Sequence, residues 1–133
     1  MNPSEVNLPE VHAELRAVFE RYEAALLRND VPALNAFFWA HPQTVRYGVV
    51  EHSLGIAAVR AARAAMAAVP TGRQLHNTVI TTFGRDCGSV CTEFHNPGSA
   101  LIGRQTQTWV RFDDWCIVAA HVSTVEPAAL TRF

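Results

Sequence analysis

The stretch Gly103–Ser123 reads GRQTQTWVRFDDWCIVAAHVS, two alternating segments on either side of Asp113-Asp114. In the first, Gln105, Gln107 and Trp109 fall on one face; in the second, Ile117, Ala119, His121 and Ser123 do. Two aspartates between such segments are turn chemistry, so the stretch predicts an antiparallel hairpin. Upstream, RQLHNTVITTF (73–83) and CGSVCTEFH (87–95) are rich in β-branched residues and are bounded by Gly84-Arg85-Asp86 and Asn96-Pro97-Gly98. The second half therefore reads as four consecutive antiparallel strands, a meander.

The first half has a different period. PEVHAELRAVFERYEAALLR (9–28) places Val11, Leu15, Val18, Tyr22 and Ala25 on one helical stripe. Asp30 is an N-cap and Pro32 lies in the first turn of a short second helix that carries Phe37 and Phe38 inward. TVRYG (44–48) alternates as a strand, with Val45 and Tyr47 opposite Thr44, Arg46 and Gly48. Ser53 can cap a third, alanine-rich helix running to Pro70. Three helices followed by a meander predict a single α+β domain over residues 1–133 in which a strongly curved antiparallel sheet packs on the helices. The cone between them can hold a small ligand.

Composition narrows the chemistry. All eleven basic residues among the 133 are arginines, so Schiff-base, P-loop and general-base mechanisms that need lysine are excluded. A formal net charge of −1 with 17% charged residues gives no footprint for nucleic acid. No apolar run approaches a membrane span. Cys87, Cys91 and Cys116 are odd in number and the N-terminus has no secretory pattern, which points to free thiols in a cytoplasmic protein. The six histidines show no HxH or HxxxH spacing, and no metal or other cofactor is expected.

With these elements in hand, YEAALLRNDVPALNAFFW, TVRYGVVEHSLGIAAVRAAR, TVITTFGRD and GRQTQTWVRFDDWCIVAAHVS resemble the NTF2-like, or SnoaL-like, cone superfamily. Within it they resemble the subgroup of AtzH in cyanuric acid catabolism and HpxZ in oxalurate catabolism, over about Tyr22 to Ser123. The resemblance implies a homodimer or dimer of dimers acting on a small ureido carboxylate alongside an amidase-signature enzyme. For AtzH-like members the implied activity is a decarboxylating amidohydrolysis of 1,3-dicarboxyurea to allophanate. Members like HpxZ imply instead a non-catalytic accessory or ureido-acid-binding role. A more distant likeness, to the association domain of calcium/calmodulin-dependent kinases, also fits a scaffold. The family would place the tyrosine of RYEAALL and the arginine of TVRYG in the active site, here Tyr22 and Arg46.

Residue chemistry leaves two readings at each position. Arg46 either pairs with Glu93 or another acid across the sheet, or presents its bidentate fork to a substrate carboxylate. Tyr22 is either a core aromatic or an acid/base whose hydroxyl enters the cone beside Arg46, a cation that would favour the phenolate. Arg60 and Arg63, three apart on the third helix, form surface ion pairs or guard the mouth of the cone, with Arg60 the candidate contact. Trp39, Gln105, Gln107, Trp109 and His121 complete the expected substrate-binding set. An isomerase or dehydratase would need Glu93 or His121 as base.

Overall fold

The computed structural model describes residues 1–133. Three helices, α1 (Pro9–Arg28), α2 (Val31–Ala36) and α3 (Ile56–Ala65), pack on a six-stranded sheet of β1 (Val45–Tyr47), β2 (His52–Leu54), β3 (Gln74–Phe83), β4 (Cys87–His95), β5 (Ile102–Arg111) and β6 (Trp115–Val125). The strand order is β2-β1-β6-β5-β4-β3. No helix is long and apolar enough to cross a membrane.

The expected meander is β3 to β6, but the sheet is mixed rather than antiparallel, because β1 runs parallel to β6. The chain leaving α2 sets this direction. The Trp39 amide donates to the Ile117 carbonyl at 3.0 Å and the Ile117 amide to the Phe37 carbonyl at 2.8 Å, so the segment is laid along β6 before β1 begins. β2, absent from the sequence reading, pairs antiparallel with β1 through a hairpin that Gly48 and Glu51 close. It absorbs Ser53, which is buried in the sheet and not a helix cap. Gly55, at φ 88°, is the N-cap of α3, and that helix ends at Ala65, short of the expected Pro70.

α1 buries the stripe read from its period: Val11, Leu15, Val18, Tyr22 and Ala25 are all in the core, with Phe19 and Leu26 beside them. Asp30 caps α2 by accepting from the Ala33 amide. Gly88 on β4 lets α1 approach, since a β-carbon there would overlap the Leu15 side chain and crowd the Thr81 carbonyl. One inward row crosses all six strands, Ser53–Arg46–Ala120–Gln107–Val90–Ile80, and every member is buried. Arg46 and Gln107 are thus held on opposite sides of the small Ala120, facing the helices.

A β-bulge decides what else faces inward. Thr108 pairs with Ala119 and Trp109 with Ile117, leaving Val118 unpaired in β6. The extra residue reverses the alternation, so Ala120 points into the cone and His121 points out, contrary to the expected shared face of Ile117, Ala119 and His121. Outside the cone, Glu93 pairs with Arg132 at 2.7 Å and with Asn77 at 2.8 Å. Hydrogen bonds from Arg132 and Asn77 lower its pKa from 4.5 to about 2.

Trp109 is fully buried, edge-on to Tyr22 and Phe37. Trp109→Ala should reduce the free energy of unfolding by roughly 3–5 kcal/mol in a denaturant titration; a loss under about 1 kcal/mol would show that the core does not rest on this ring. Arg132→Gln should move the Glu93 carboxyl from about 2 back toward 4.5 in a carbon-13 NMR titration. Because that carboxyl is depressed in the folded chain, its contribution to stability is complete above the ordinary carboxylate range and is lost as pH falls through about 2.

Candidate functional site

α1, β1 and α3 bring Tyr22, Arg46 and Arg63 together in one part of the cone. Tyr22 is 3% exposed, Arg46 9% and Arg63 8%. Phe37, Phe38 and Trp109 surround the phenol edge-on, with ring centroids 5.6, 6.4 and 6.2 Å away. Burial raises the Tyr22 pKa above its ordinary 10; the charges of Arg63 and then Arg46 oppose the rise without cancelling it. The hydroxyl is therefore a retained proton near neutral pH, in contrast to the phenolate expected beside Arg46.

The two guanidiniums differ in their partners. Arg46 is paired with Glu51 from the β1–β2 turn rather than with Glu93, which is engaged by the C-terminal Arg132. Arg63 has no carboxylate within ion-pair distance and faces the Tyr22 hydroxyl. Burial lowers the Arg63 pKa, interaction with Tyr22 opposes that, the like charge of Arg46 adds to it, and the negative charge of Glu51 opposes it from beyond ion-pair distance. A closed seam with no room for a water molecule lies against both arginines, walled by Leu34, Asn35, Phe38, Val59 and Met66. Two buried cations, one carboxylate and a protonated phenol make this part of the cone net positive, electrostatics that suit an anion able to accept a proton.

The remaining expected contacts are scattered. Arg60 is exposed, because the buried face of α3 follows the i, i+4 pair Val59 and Arg63, not the i, i+3 pair Arg60 and Arg63. Trp39 stacks on His41 at 3.9 Å and against Phe112, outside the cleft. His121 lies on the outer face beside Tyr47. Trp109 is packing, its indole N–H donating to Gln107 Oε1 at 3.0 Å. Gln105 is inside the cone but already engaged: it donates to Glu23 at 3.3 Å and accepts from Arg73 at 3.2 Å.

That last contact belongs to a buried network missed in the sequence. Arg73 pairs with Glu23 at 3.2 Å and lies 4.1 Å from the centre of the Phe94 ring. The network seals one end of the cone with matched charges, leaving the Arg46–Arg63 end as the one with excess positive charge. A larger groove of about 620 Å³ runs outside, between α1, α2 and the β5–β6 turn. Its Arg111 is already paired with Asp86 and Glu14, and its other cation, Arg21, shares the groove with Glu14, Asp113 and Asp114, so the lining is net negative and offers no comparable anion site.

The fold is the NTF2-like, or SnoaL-like, cone, a class that includes enzymes such as isomerases and dehydratases. The sequence profile of the AtzH-like family matches residues 4–128, and the chain belongs to that family, which relates it to cyanuric acid catabolism. A cystatin-like fold protein from Burkholderia xenovorans LB400 is 50% identical, with a TM-score of 0.90 over 92% of this chain and 97% of its own. A protein of unknown function from Pectobacterium atrosepticum SCRI1043 is 49% identical, with a TM-score of 0.91 over 95% and 99%. An NTF2-like protein from Pseudomonas putida KT2440, 19% identical with a TM-score of 0.70 over 84% of each chain, shares the fold. No curated protein sequence matches.

The raised Tyr22 pKa gives a direct expectation. With tyrosines carbon-13-labelled at Cζ and Tyr22 assigned through Tyr22→Phe, the Tyr22 resonance should titrate with a midpoint above the ordinary 10. A midpoint below 10 would mean that the arginines outweigh desolvation.

Proposed function

We propose that the chain is a decarboxylating amidohydrolase that binds a small ureido dicarboxylate, 1,3-dicarboxyurea, in the cone and removes one N-carboxyl group to give allophanate. The observation that carries this reading is the Tyr22 hydroxyl, protonated and dry, facing one buried arginine and within the field of a second. Loss of a carboxyl group from nitrogen is helped by two things at once: a cation that anchors the substrate through the carboxylate it retains, and an acid for the nitrogen that receives the bond pair. Arg46 supplies the first and Tyr22 the second.

In the proposed step the N–C bond to one carboxylate breaks, carbon dioxide departs, and the bond pair stays on the urea nitrogen. That nitrogen takes the Tyr22 proton, and water restores it to the phenolate. The sum, 1,3-dicarboxyurea dianion plus water giving allophanate plus bicarbonate, balances in atoms and charge. The dry cleft favours this step because a carboxylate leaving as neutral carbon dioxide loses little from poor solvation. We propose in addition a homodimer or dimer of dimers formed through the outer sheet face, where Tyr47 and His121 lie beside a shallow depression of about 190 Å³.

Carbon-13 NMR of the protein with freshly generated 1,3-dicarboxyurea should show allophanate and bicarbonate forming faster than in a protein-free control. Tyr22→Phe should lower kcat by about 100-fold or more with little change in binding or stability. Arg46→Lys should fail as well, since a point charge does not reproduce the bidentate fork. Tight binding of the dianion with no acceleration would assign the chain instead to the accessory, ureido-acid-binding role.

A further inference from the structure

We infer that Arg46 and Arg63 form a two-armed clamp for the two carboxylates of a dianion, and that Glu51 is a displaceable stand-in for the carboxylate that binds Arg46. This rests on the ureido-dicarboxylate reading above and specifies how the site selects that class.

Three observations carry it. First, the two buried guanidiniums line one seam, yet only Arg46 has a carboxylate at ion-pair distance, and Glu51 reaches Arg63 through its field alone. A buried guanidinium without an acid is costly, and a ligand carboxylate on Arg63 removes that cost. Second, the carboxylate on Arg46 comes from the least anchored element near the cone. Glu51 sits in the turn between the three-residue strands β1 and β2, next to Val50, which is 92% exposed, and its side chain is 29% exposed against 11% for Arg46. Third, the cleft at the two arginines is too narrow for water in this closed arrangement, so a ligand of ten non-hydrogen atoms requires something to move out. Glu51 is the group whose departure frees a cation.

Charge arithmetic then gives selectivity. With Glu51 in place the site carries two positive charges and one negative, matched by a monoanion. With Glu51 swung out it carries two positive charges, matched by a dianion. A substrate with two carboxylates displaces Glu51; the product allophanate, with one, lets Glu51 return to Arg46 and loses half of the clamp. Turnover and product release are linked by the same carboxylate.

Gly48 makes the pair possible. A β-carbon at this position would overlap the Glu51 carboxylate that reaches Arg46. Gly48 does not occupy the left-handed region, so the backbone accepts alanine. Gly48→Ala therefore pushes the end of a flexible side chain off Arg46 and leaves every charge in the protein unchanged.

The experiment is isothermal titration with glutarate as the stable dianion and butyrate as its monoanion, on wild type, Arg63→Met, Glu51→Gln and Gly48→Ala, each confirmed as folded by its melting transition. Wild type should prefer glutarate. Arg63→Met should weaken glutarate by about 30-fold or more and bring it close to butyrate. Glu51→Gln and Gly48→Ala should each tighten glutarate by about ten-fold, because neither variant holds the competing carboxylate on Arg46. Equal wild-type affinity for the two acids, unchanged glutarate binding in Arg63→Met, or weaker binding in Glu51→Gln would each overturn the clamp. Turnover of 1,3-dicarboxyurea in the same proteins separates the two readings. The binding pattern without turnover removes the decarboxylase and keeps the clamp, whereas turnover without the pattern removes the clamp alone.

Discussion

Two guanidiniums and a phenol are buried close together in the cone, and the rest of the chain is arranged around that fact. Burying like charges together is unfavourable, and the one acid beside them, Glu51, is ion-paired with Arg46 and reaches Arg63 only through its field. The chain could have avoided the cost with an apolar pair at Arg46 and Arg63, since every position of α3 other than the exposed Arg60 and Arg63 itself is apolar. An unmatched buried cation on a rigid helix is what a site for a small anion requires.

The scaffold supplies the rigidity. Arg46 sits in a row of buried residues that crosses every strand, with β6 beside it as a parallel neighbour. Tyr22 is fixed near the middle of α1 by three aromatic rings, and Gly88 brings that helix close to the sheet. The Glu23–Arg73–Gln105 network closes the other end, so that end is neutral and well bonded. The same burial that holds the phenol also keeps its proton on, which makes Tyr22 an acid in the resting site.

The helical stripe of α1, the cap at Asp30 and the four long strands were legible in the sequence, because each follows from a local period or a turn, whereas the alternation of TVRYG put Arg46 on one strand face without saying which face turns inward. What escaped was non-local. The bulge at Val118 inserts one residue without any glycine or proline to mark it, and it turns His121 outward and Ala120 inward. The parallel placement of β1 depends on how the end of α2 is bonded to β6. Arg63 and Arg60 were separable in principle, since only Arg63 lies four residues from Val59 on the apolar face. Glu51 gave no signal, because its role depends on a hairpin of two three-residue strands and on the absence of a side chain at Gly48.

The most direct measurement is a crystal structure of the protein with glutarate bound. The account predicts the ligand inside the cone, one carboxylate on Arg63 beside the Tyr22 hydroxyl, the other on Arg46, and Glu51 turned out of the cleft. Glutarate bound in the outer groove beside Arg111, or an Arg46–Glu51 pair left intact with the dianion present, would contradict it.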